Sequence, residues 1–207
     1  MVLCISRDAL TEQSIPPSVQ GIFPFNLDKI SSEDFHFINR KIVDSDKELY
    51  KNMAYYFPQI LPYIAVTDGE GKYLSYSRNG AETRLHGSRS IAVGGHVDIT
   101  DMYNTEYNLV NNILETITQS TLRELEEEAN IVYDSASPNV ITHICNKVIV
   151  DTSNPVGKVH VGLFTTLVYP HAQPQEELHD AKWLTVDELK ASIDGYENWS
   201  KLIIEGL

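Results

Sequence analysis

The stretch of sequence that decides the fold is LETITQSTLRELEEEANI, residues 114–131. At about 100° per residue, its apolar side chains recur on one side of an α-helix. The members of this stripe are Leu114, Ile117, Thr121, Leu122, Leu125 and Ala129. Asn130 follows, and Asn is second only to Gly in tolerating the left-handed conformation that commonly ends a helix. The pattern predicts one amphipathic helix that ends at Ala129 and faces a core.

Three glutamates stand beside that stripe. Glu124, Glu127 and Glu128 are spaced i, i+3 and i+4, so their carboxylates are expected on one helix face, whereas Glu126 points away. Like charges at this spacing cost about 0.2–0.5 kcal/mol per pair, and anions near a helix C-terminus also oppose the helix dipole. Hard divalent cations bound by carboxylate oxygens reverse this penalty. The sequence therefore predicts a Mg²⁺ or Mn²⁺ site.

The composition is that of an acidic globular chain. The 207 residues are 42% hydrophobic and 22% charged, with a formal net charge of −13. This charge disfavours general binding to nucleic acid or to anionic membranes. Cys4 and Cys145 cannot form a disulfide framework, no run approaches the ~20 apolar residues that span a bilayer, and the apolar run 2–5 is too short for a signal-peptide core. We therefore expect a cytoplasmic protein.

The rest of the chain indicates a mixed α/β or α+β fold. Residues 63–67 and 72–77 are β-prone runs joined by Asp-Gly-Glu-Gly, which predicts a hairpin. Upstream, residues 31–57 carry helical spacing and residues 15–24 read as irregular chain. Further strands and then a short helix are expected at 90–93, within 140–150, within 159–169 and at 186–192. Strands, helix, strands, helix is an order typical of a layered sandwich.

The glutamate-rich helix resembles the signature of the Nudix (MutT-like) hydrolase family, G-x5-E-x7-R-E-U-x-E-E-x-G-U, in which U is apolar. Residues 123–131 match its second half, and Glu115 precedes Arg123 by the required seven intervening residues. Two departures occur. Asn130 replaces the closing Gly, and 19 residues instead of 5 separate Gly95 from Glu115, which places an insertion of 14 residues near 97–110.

The flanking sequence extends the resemblance over roughly residues 60–190. A Gly-Gly pair precedes the helix, and residues 178–189, LHDAKWLTVDEL, look like an ending common in these proteins. Residues 76–96 are similar to a bacterial subgroup of predicted phosphoesterases. The resemblance implies a Nudix-like α/β/α sandwich with a mixed sheet over residues 61–207. Residues 1–60 would be an N-terminal extension packed on or beside that domain.

The resemblance also implies catalytic roles. Glu124, Glu127 and Glu128 would bind metal, and one of them, or a carboxylate outside the signature, would be the general base. Arg123 would orient Glu124, and Glu115 would pair with Arg123.

Other ligands are implied outside the helix. Gly94 or Gly95 would lend a backbone carbonyl to a metal, and a later loop would add an acidic ligand, for which Glu176, Glu177 and Asp180 are candidates and Glu177 is our assignment. The basic residues most available to substrate phosphates are Arg78, Arg84, Arg89 and His96.

The implied function is a Mg²⁺- or Mn²⁺-dependent hydrolase that cleaves a diphosphate linkage in a nucleotide or nucleoside diphosphate derivative. One alternative is a catalytically silent Nudix-fold module that binds a nucleotide-like ligand. Another is an isomerase of the isopentenyl diphosphate type, which needs a further Cys nucleophile or acid that the sequence does not place. Retention of all three glutamates favours the hydrolase. Because family members are often dimers, a homodimer is also expected.

Overall fold

A computed structural model of the protein describes residues 1–45, 47–78, 87–104, 109–110, 112–132, 146–172 and 178–207. Its α-helices are α1 (Arg7–Glu12), α2 (Arg40–Val43), α3 (Glu48–Tyr56), α4 (Ile113–Ala129), α5 (Val186–Ala191) and α6 (Asn198–Gly206). Its strands are β1 (Val2–Ile5), β2 (Gln20–Pro24), β3 (Phe35–Ile38), β4 (Gln59–Thr67), β5 (Lys72–Arg78), β6 (Arg89–Ser90), β7 (Ala92–Val93), β8 (Tyr103–Asn104), β9 (Leu109–Val110), β10 (Lys147–Asp151), β11 (His160–Val168) and β12 (Leu178–Thr185). Among the helices described, none is long and apolar enough to cross a membrane.

The chain divides into two compact units. The first consists of the described parts of Met1–Pro62, Gly95–Thr121 and His143–Phe164. The second consists of the described parts of Tyr63–Gly94, Leu122–Thr142 and Thr165–Leu207. Strands β4 and β11 and helix α4 each begin in one unit and end in the other.

The described part of the first unit contains several antiparallel strand pairs, one of them between β8 and β9. Strand β1 pairs with β3 along its whole length and with β4 at Cys4↔Gln59. Strand β10 pairs with β11 on one side and with β2 on the other. A small core forms where Val2 and Cys4 of β1 meet Val43 and Ala54. The N-terminal strand is therefore buried between its neighbours.

Two predictions for this unit are wrong. Residues 35–38 form strand β3 rather than part of a helix, and residues 20–24 form strand β2 rather than irregular chain. Phe-His-Phe-Ile fits both a helical stripe and a strand of period two, so pairing with β1 decides between them. Pro24 is compatible with β2 because it is the last residue of that strand. Helix α3 confirms the later part of the helical prediction.

The second unit contains the predicted hairpin. Strands β4 and β5 pair antiparallel at Thr67↔Tyr73. Asp68 shapes the turn between them, because its Oδ1 accepts hydrogen bonds from the backbone N–H groups of Glu70 and Lys72. Strands β6, β7 and β12 add to this hairpin, and all of these pairs are antiparallel.

The core of the second unit lies between this strand group and the end of α4. Leu125, Ala129 and Ile131 pack on buried residues of the strands, namely Ile64, Val66, Leu74, Tyr76, Val93, Leu167 and Leu178. Four members of the predicted stripe, Ile117, Thr121, Leu125 and Ala129, are buried, whereas Leu114 at the start of the helix is 46% exposed. Burial of this face fixes the rotation of the helix and therefore the direction of the glutamates beside it.

Candidate functional site

Helix α4 begins and ends with side-chain and backbone bonds that the sequence encodes locally. At its start, Asn112 Oδ1 accepts from the Glu115 N–H, and Glu115 Oε2 accepts from the Asn112 N–H, each at 2.9 Å. This reciprocal arrangement is a capping box. At its end Asn130 is left-handed with φ 52°, and the Ile131 N–H bonds to the Leu125 carbonyl at 3.0 Å. The predicted stop at Ala129 is confirmed.

Glu115 does not pair with Arg123. Eight residues of helix separate them by about 12 Å of rise, and the Glu115 carboxylate is engaged at the helix start instead. The seven-residue spacing between Glu115 and Arg123 does not reveal the capping role of Glu115. Asn112, three residues before Glu115, does match the sequence pattern of a capping box.

Arg123 holds two of the three glutamates. Its Nη1 donates to Glu124 Oε1 at 2.7 Å and to Glu127 Oε2 at 3.3 Å. The Glu124 side chain is 12% exposed and the Glu127 side chain 61% exposed. The predicted contact between Arg123 and Glu124 is therefore present, and it is the stronger of the two because it is shorter and less exposed to solvent screening.

Glu128 lies on the buried side of the helix near two residues of β5. Only 8% of Glu128 is exposed, and its charge acts on both Tyr76 and Arg78. Tyr76 is buried and donates its hydroxyl to the Ala92 carbonyl at 2.5 Å, two residues before Gly94. Burial, together with Glu128, raises the pKa of Tyr76, so the phenol stays protonated.

The strand register places Arg78 on the face that carries α4. Arg78 is directly opposite Leu178, and opposite residues of an antiparallel pair point to the same side. Leu178 packs in the core with Leu125 and Ala129, so the Arg78 side chain leaves β5 on that side too. Burial by itself would lower the pKa of Arg78, but Tyr76 and other neighbouring groups, Glu128 among them, raise it. Arg78 is thus a fixed positive charge near the end of α4.

Arg89 is fully engaged within the protein. Its Nε donates to Ser75 Oγ, its Nη1 to Ser77 Oγ and Asp180 Oδ2, and its Nη2 to the carbonyls of Ser75 and Asp180, all at 3.0–3.2 Å. A guanidinium has five N–H donors, so none remains for a substrate phosphate in this conformation. Contrary to the sequence-based expectation, Arg89 has a structural role: it holds the β12 bulge, where Asp180 is left-handed with φ 48°. Sequence could not show this because the partners come from two other strands.

Asp180 is correspondingly engaged. Lys182 and Arg89 donate to its carboxylate and lower its pKa. A metal ion would have to compete with both of these basic side chains for the Asp180 carboxylate.

Gly94 is buried and Gly95 is half-buried, and His96 follows them in the first unit. The His96 carbonyl accepts from Ser120 Oγ at 3.3 Å, and its ring meets the ring of His160 edge-on, with centroids 5.7 Å apart. Arg84 and Glu177, and the central part of the insertion, lie outside the described residues.

The donor chemistry of α4 fits a hard divalent cation. Carboxylate oxygens are the ligands that Mg²⁺ prefers, and two of the three carboxylates are largely buried. Within the described residues, however, no three His, Cys, Asp or Glu side chains are gathered closely enough to hold an ion as they stand. Glu127 would have to leave Arg123, a contact that is long and exposed. The α4 glutamates are therefore of the right residue type and on one helix face for a divalent cation, but their side chains are not yet gathered around one.

Comparison with known proteins gives the family. No protein-family model matches the chain. Protein YmaB of Bacillus subtilis (strain 168) is 31% identical over 157 residues, which cover 72% of this chain and 70% of YmaB. The chain belongs to the YmaB family.

Solved structures give the fold of this YmaB-family chain. Tm1382, a candidate Nudix hydrolase, matches 99% of the chain and 96% of its own length with a TM-score of 0.70 and 17% identity. A bifunctional NMN adenylyltransferase/ADP ribose pyrophosphatase from Francisella tularensis, solved with AMP and a Mn ion, matches 72% of the chain and 40% of its own length with a TM-score of 0.50 and 19% identity. This YmaB-family chain has the Nudix fold. The mixed α/β fold inferred from the sequence is confirmed.

Proposed function

We propose that this YmaB-family chain is a metal-dependent hydrolase that cleaves a diphosphate linkage in a nucleotide or nucleoside diphosphate derivative. The observation that carries the proposal is the end of α4, where Glu124 and Glu128 are buried one turn apart and Arg123 holds Glu124. Two buried carboxylates so close together repel each other, a cost that Arg123 and Arg78 offset in part and that a bound metal ion would offset further. A helix stop and a packed core nevertheless hold them there, in a chain with the Nudix fold.

The proposed metal ligands are the carboxylates of Glu124, Glu127 and Glu128, a carbonyl of Gly94 or Gly95, and Glu177. When bound, Mg²⁺ or Mn²⁺ would neutralise negative charge on the substrate phosphates. The Mn ion in the structure of the Francisella tularensis protein supports trying both metals.

The chain's own residues would orient the groups and move one proton. Arg123 orients the Glu124 carboxylate, which is the role of a positioning residue. One carboxylate accepts a proton from the attacking water as its oxygen bonds to phosphorus and the bond from phosphorus to the bridging oxygen breaks. The products are two molecules that each end in a phosphate. Because the chemistry asks for little covalent participation by the protein, carboxylates and a cation suffice.

Substrate phosphates would be bound by Arg78, Arg84 and His96. Arg78 is supported by its position beside Leu178 on the α4 face of β5 and by its lasting positive charge. Two other inferences from sequence belong to the proposal: residues 61–207 form the hydrolase domain after an N-terminal extension of residues 1–60, and the protein is a homodimer.

Metal titration of matched variants tests the ligand assignment. Glu127→Gln and Glu128→Gln should each weaken Mn²⁺ binding by about tenfold or more, equivalent to ~1.4 kcal/mol, as measured by titration calorimetry. Glu126→Gln is the control, because Glu126 is exposed, carries the same charge and points away from the buried face. Equal Mn²⁺ affinity in all three variants and the wild type would show that this helix face is not the metal site.

A further inference from the structure

The segment that leads to Gly94 changes its strand partner at Ile91. Before this residue, strand β6 pairs with β5. After it, strand β7 pairs with β4. Strands β4 and β5 pair with each other near their turn, so residues 89–93 cross from one arm of this hairpin to the other. Gly94 follows directly at the end of the crossing.

Side chains supply hydrogen bonds to the backbone at this crossing. The Ile91 N–H donates to Ser200 Oγ of helix α6 at 3.1 Å. The Ala92 N–H donates to Ser90 Oγ at 3.2 Å, and the Ala92 carbonyl accepts from the Tyr76 hydroxyl. Ile91 and Ser200 are both fully buried. Because buried backbone N–H groups are nearly always hydrogen-bonded, the Ser200 hydroxyl satisfies a need of the backbone at the point where the partner changes.

The Ser200 hydroxyl is itself held by its neighbours. It donates to Oε1 of Glu197, the residue that caps the start of α6, at 2.9 Å. The Tyr63 hydroxyl lies 3.0 Å from Ser200 Oγ and also donates to the Glu197 carboxylate. Ser90 Oγ lies 3.2 Å from Ser200 Oγ. Since a serine hydroxyl has one proton, its use by Glu197 turns the oxygen lone pairs toward the Ile91 N–H.

Helix α6 is attached to the same segment at a second point. The Glu197 N–H donates to the Arg89 carbonyl at 3.0 Å. On the next residue toward the core, the ring of Trp199 meets the ring of Tyr63 edge-on, with centroids 5.2 Å apart. The two attachments, at residues 89 and 91, lie on either side of Ser90. The start of α6 therefore fixes both the position and the direction of the chain that enters β7.

We propose that Ser200 is a positioning residue for the Gly94 carbonyl, with Glu197 and Tyr63 fixing its hydroxyl. The inference rests on the proposed function, in which a carbonyl of Gly94 or Gly95 binds the metal. Two residues separate Ile91 from Gly94. Without the Ser200 hydroxyl, the buried Ile91 N–H must find another partner, which requires the following peptide planes to rotate.

The direction of a carbonyl matters for metal binding. Groups that orient a metal ligand commonly affect metal affinity nearly as much as the ligands do. Helix α6 lies beyond residues 60–190, over which the sequence resembles the Nudix family. The proposed support for the metal site is therefore supplied by a part of the chain that the family signature does not include.

The Gly94 carbonyl can be observed directly, because residues 94 and 95 are the only two consecutive glycines among the 11 in the sequence. The protein is labelled with glycine that carries ¹³C at the carbonyl and ¹⁵N at the amide. A carbonyl-to-amide correlation spectrum then gives one signal, from the Gly94 carbon and the Gly95 nitrogen. We expect this signal, recorded without metal, to move in Ser200→Ala and to keep its wild-type position in Ile203→Val.

Ile203→Val is the matched control for helix packing. Ile203 is a buried residue of α6 one turn after Ser200, and its replacement loosens packing without removing a hydrogen bond. Tyr63→Phe gives a second test if Ser200→Ala does not fold, since it removes a contact to the Ser200 oxygen and keeps the ring. We expect the Gly94 signal to move in Tyr63→Phe too. A wild-type signal in Ser200→Ala, or in Tyr63→Phe where Ser200→Ala does not fold, would overturn the inference, as would an equal movement in Ile203→Val.

Titration with Mn²⁺ separates this inference from the proposed function. Mn²⁺ is paramagnetic, so binding at Gly94 should broaden the same signal. Ser200→Ala should need about tenfold more Mn²⁺ than the wild type for half of this broadening, in line with the effect of groups that orient metal ligands. Broadening of both proteins at the same Mn²⁺ concentration would overturn the positioning role and leave the metal site in place. If Mn²⁺ leaves the wild-type signal unchanged, the Gly94 ligand of the proposed function fails, and the metal-free spectra alone decide whether Ser200 sets this carbonyl.

Discussion

Arg89→Ala is expected to destabilise the protein because Arg89 joins three strands. Its contacts to Asp180 contribute little, since the Asp180 side chain is 53% exposed. The contacts to Ser75 and Ser77 matter more, because Ser75 is fully buried and its carbonyl loses a partner in the variant. Three such bonds at ~0.5–1.5 kcal/mol each give a loss of about 1.5–4.5 kcal/mol in the free energy of unfolding. Ser75 Oγ keeps the Tyr196 hydroxyl at 2.6 Å, which limits the effect.

The assay is urea unfolding of the wild type, Arg89→Ala and Lys182→Ala, followed by circular dichroism. Lys182 is the control because it also bonds to Asp180, at 2.9 Å, but is 56% exposed. Its removal should cost less than about 0.5 kcal/mol. If Arg89→Ala is no less stable than Lys182→Ala, the structural role of Arg89 is refuted. A raised KM with wild-type stability would instead return Arg89 to the substrate ligands predicted from sequence.

Four other predictions follow from the contacts described. Arg123→Ala should lower kcat without abolishing Mn²⁺ binding, because it misplaces Glu124 without removing a metal ligand; an unchanged rate would show that Arg123 does not position that carboxylate. Asn130→Ala should cost about 1 kcal/mol and Asn130→Gly should not, since only the left-handed conformation distinguishes them, and thermal unfolding measures both. Leu125→Ala should cost ~2–5 kcal/mol in chemical unfolding, because Leu125 is fully buried against the strands. Burial alone would raise the pKa of the Asp44 carboxyl, but hydrogen bonds from Gln59 Nε2 and Arg40 Nε outweigh burial and lower it. Ionised Asp44 therefore stabilises the protein above about pH 4, and this effect is lost as pH falls through the lower pKa of the folded state. The stability difference between the wild type and Asp44→Asn should accordingly shrink on acidification, as measured by urea unfolding at a series of pH values.

The parts of the fold that sequence predicts well are those decided by local pattern. Helix α4 has a long apolar stripe, a glutamate-rich face and Asn130 as its stop, and each of these depends only on residues within a few turns. The hairpin between β4 and β5 is equally local, since Asp68 and the following glycines fix its turn.

The parts that sequence misjudges are decided by distant partners. Phe35 and Ile38 fit a helix until β1 pairs with them, and the residues of β2 form a strand only because β10 lies beside them. Arg89 shows the same effect at the level of a single side chain. Its positive charge and its place before α4 made it a candidate phosphate ligand, whereas Ser75 and Asp180 occupy its donors.

The measurement that tests the central claim most directly is product analysis by ³¹P NMR and chromatography. The purified protein and Glu128→Gln are incubated with Mg²⁺ or Mn²⁺ and a panel of nucleoside triphosphates, dinucleoside polyphosphates, nucleotide sugars, ADP-ribose, NADH and coenzyme A. The account predicts metal-dependent cleavage of a diphosphate linkage in at least one compound, with loss of that cleavage in Glu128→Gln. Cleavage that persists in Glu128→Gln, or no cleavage of any compound with either metal, would contradict it.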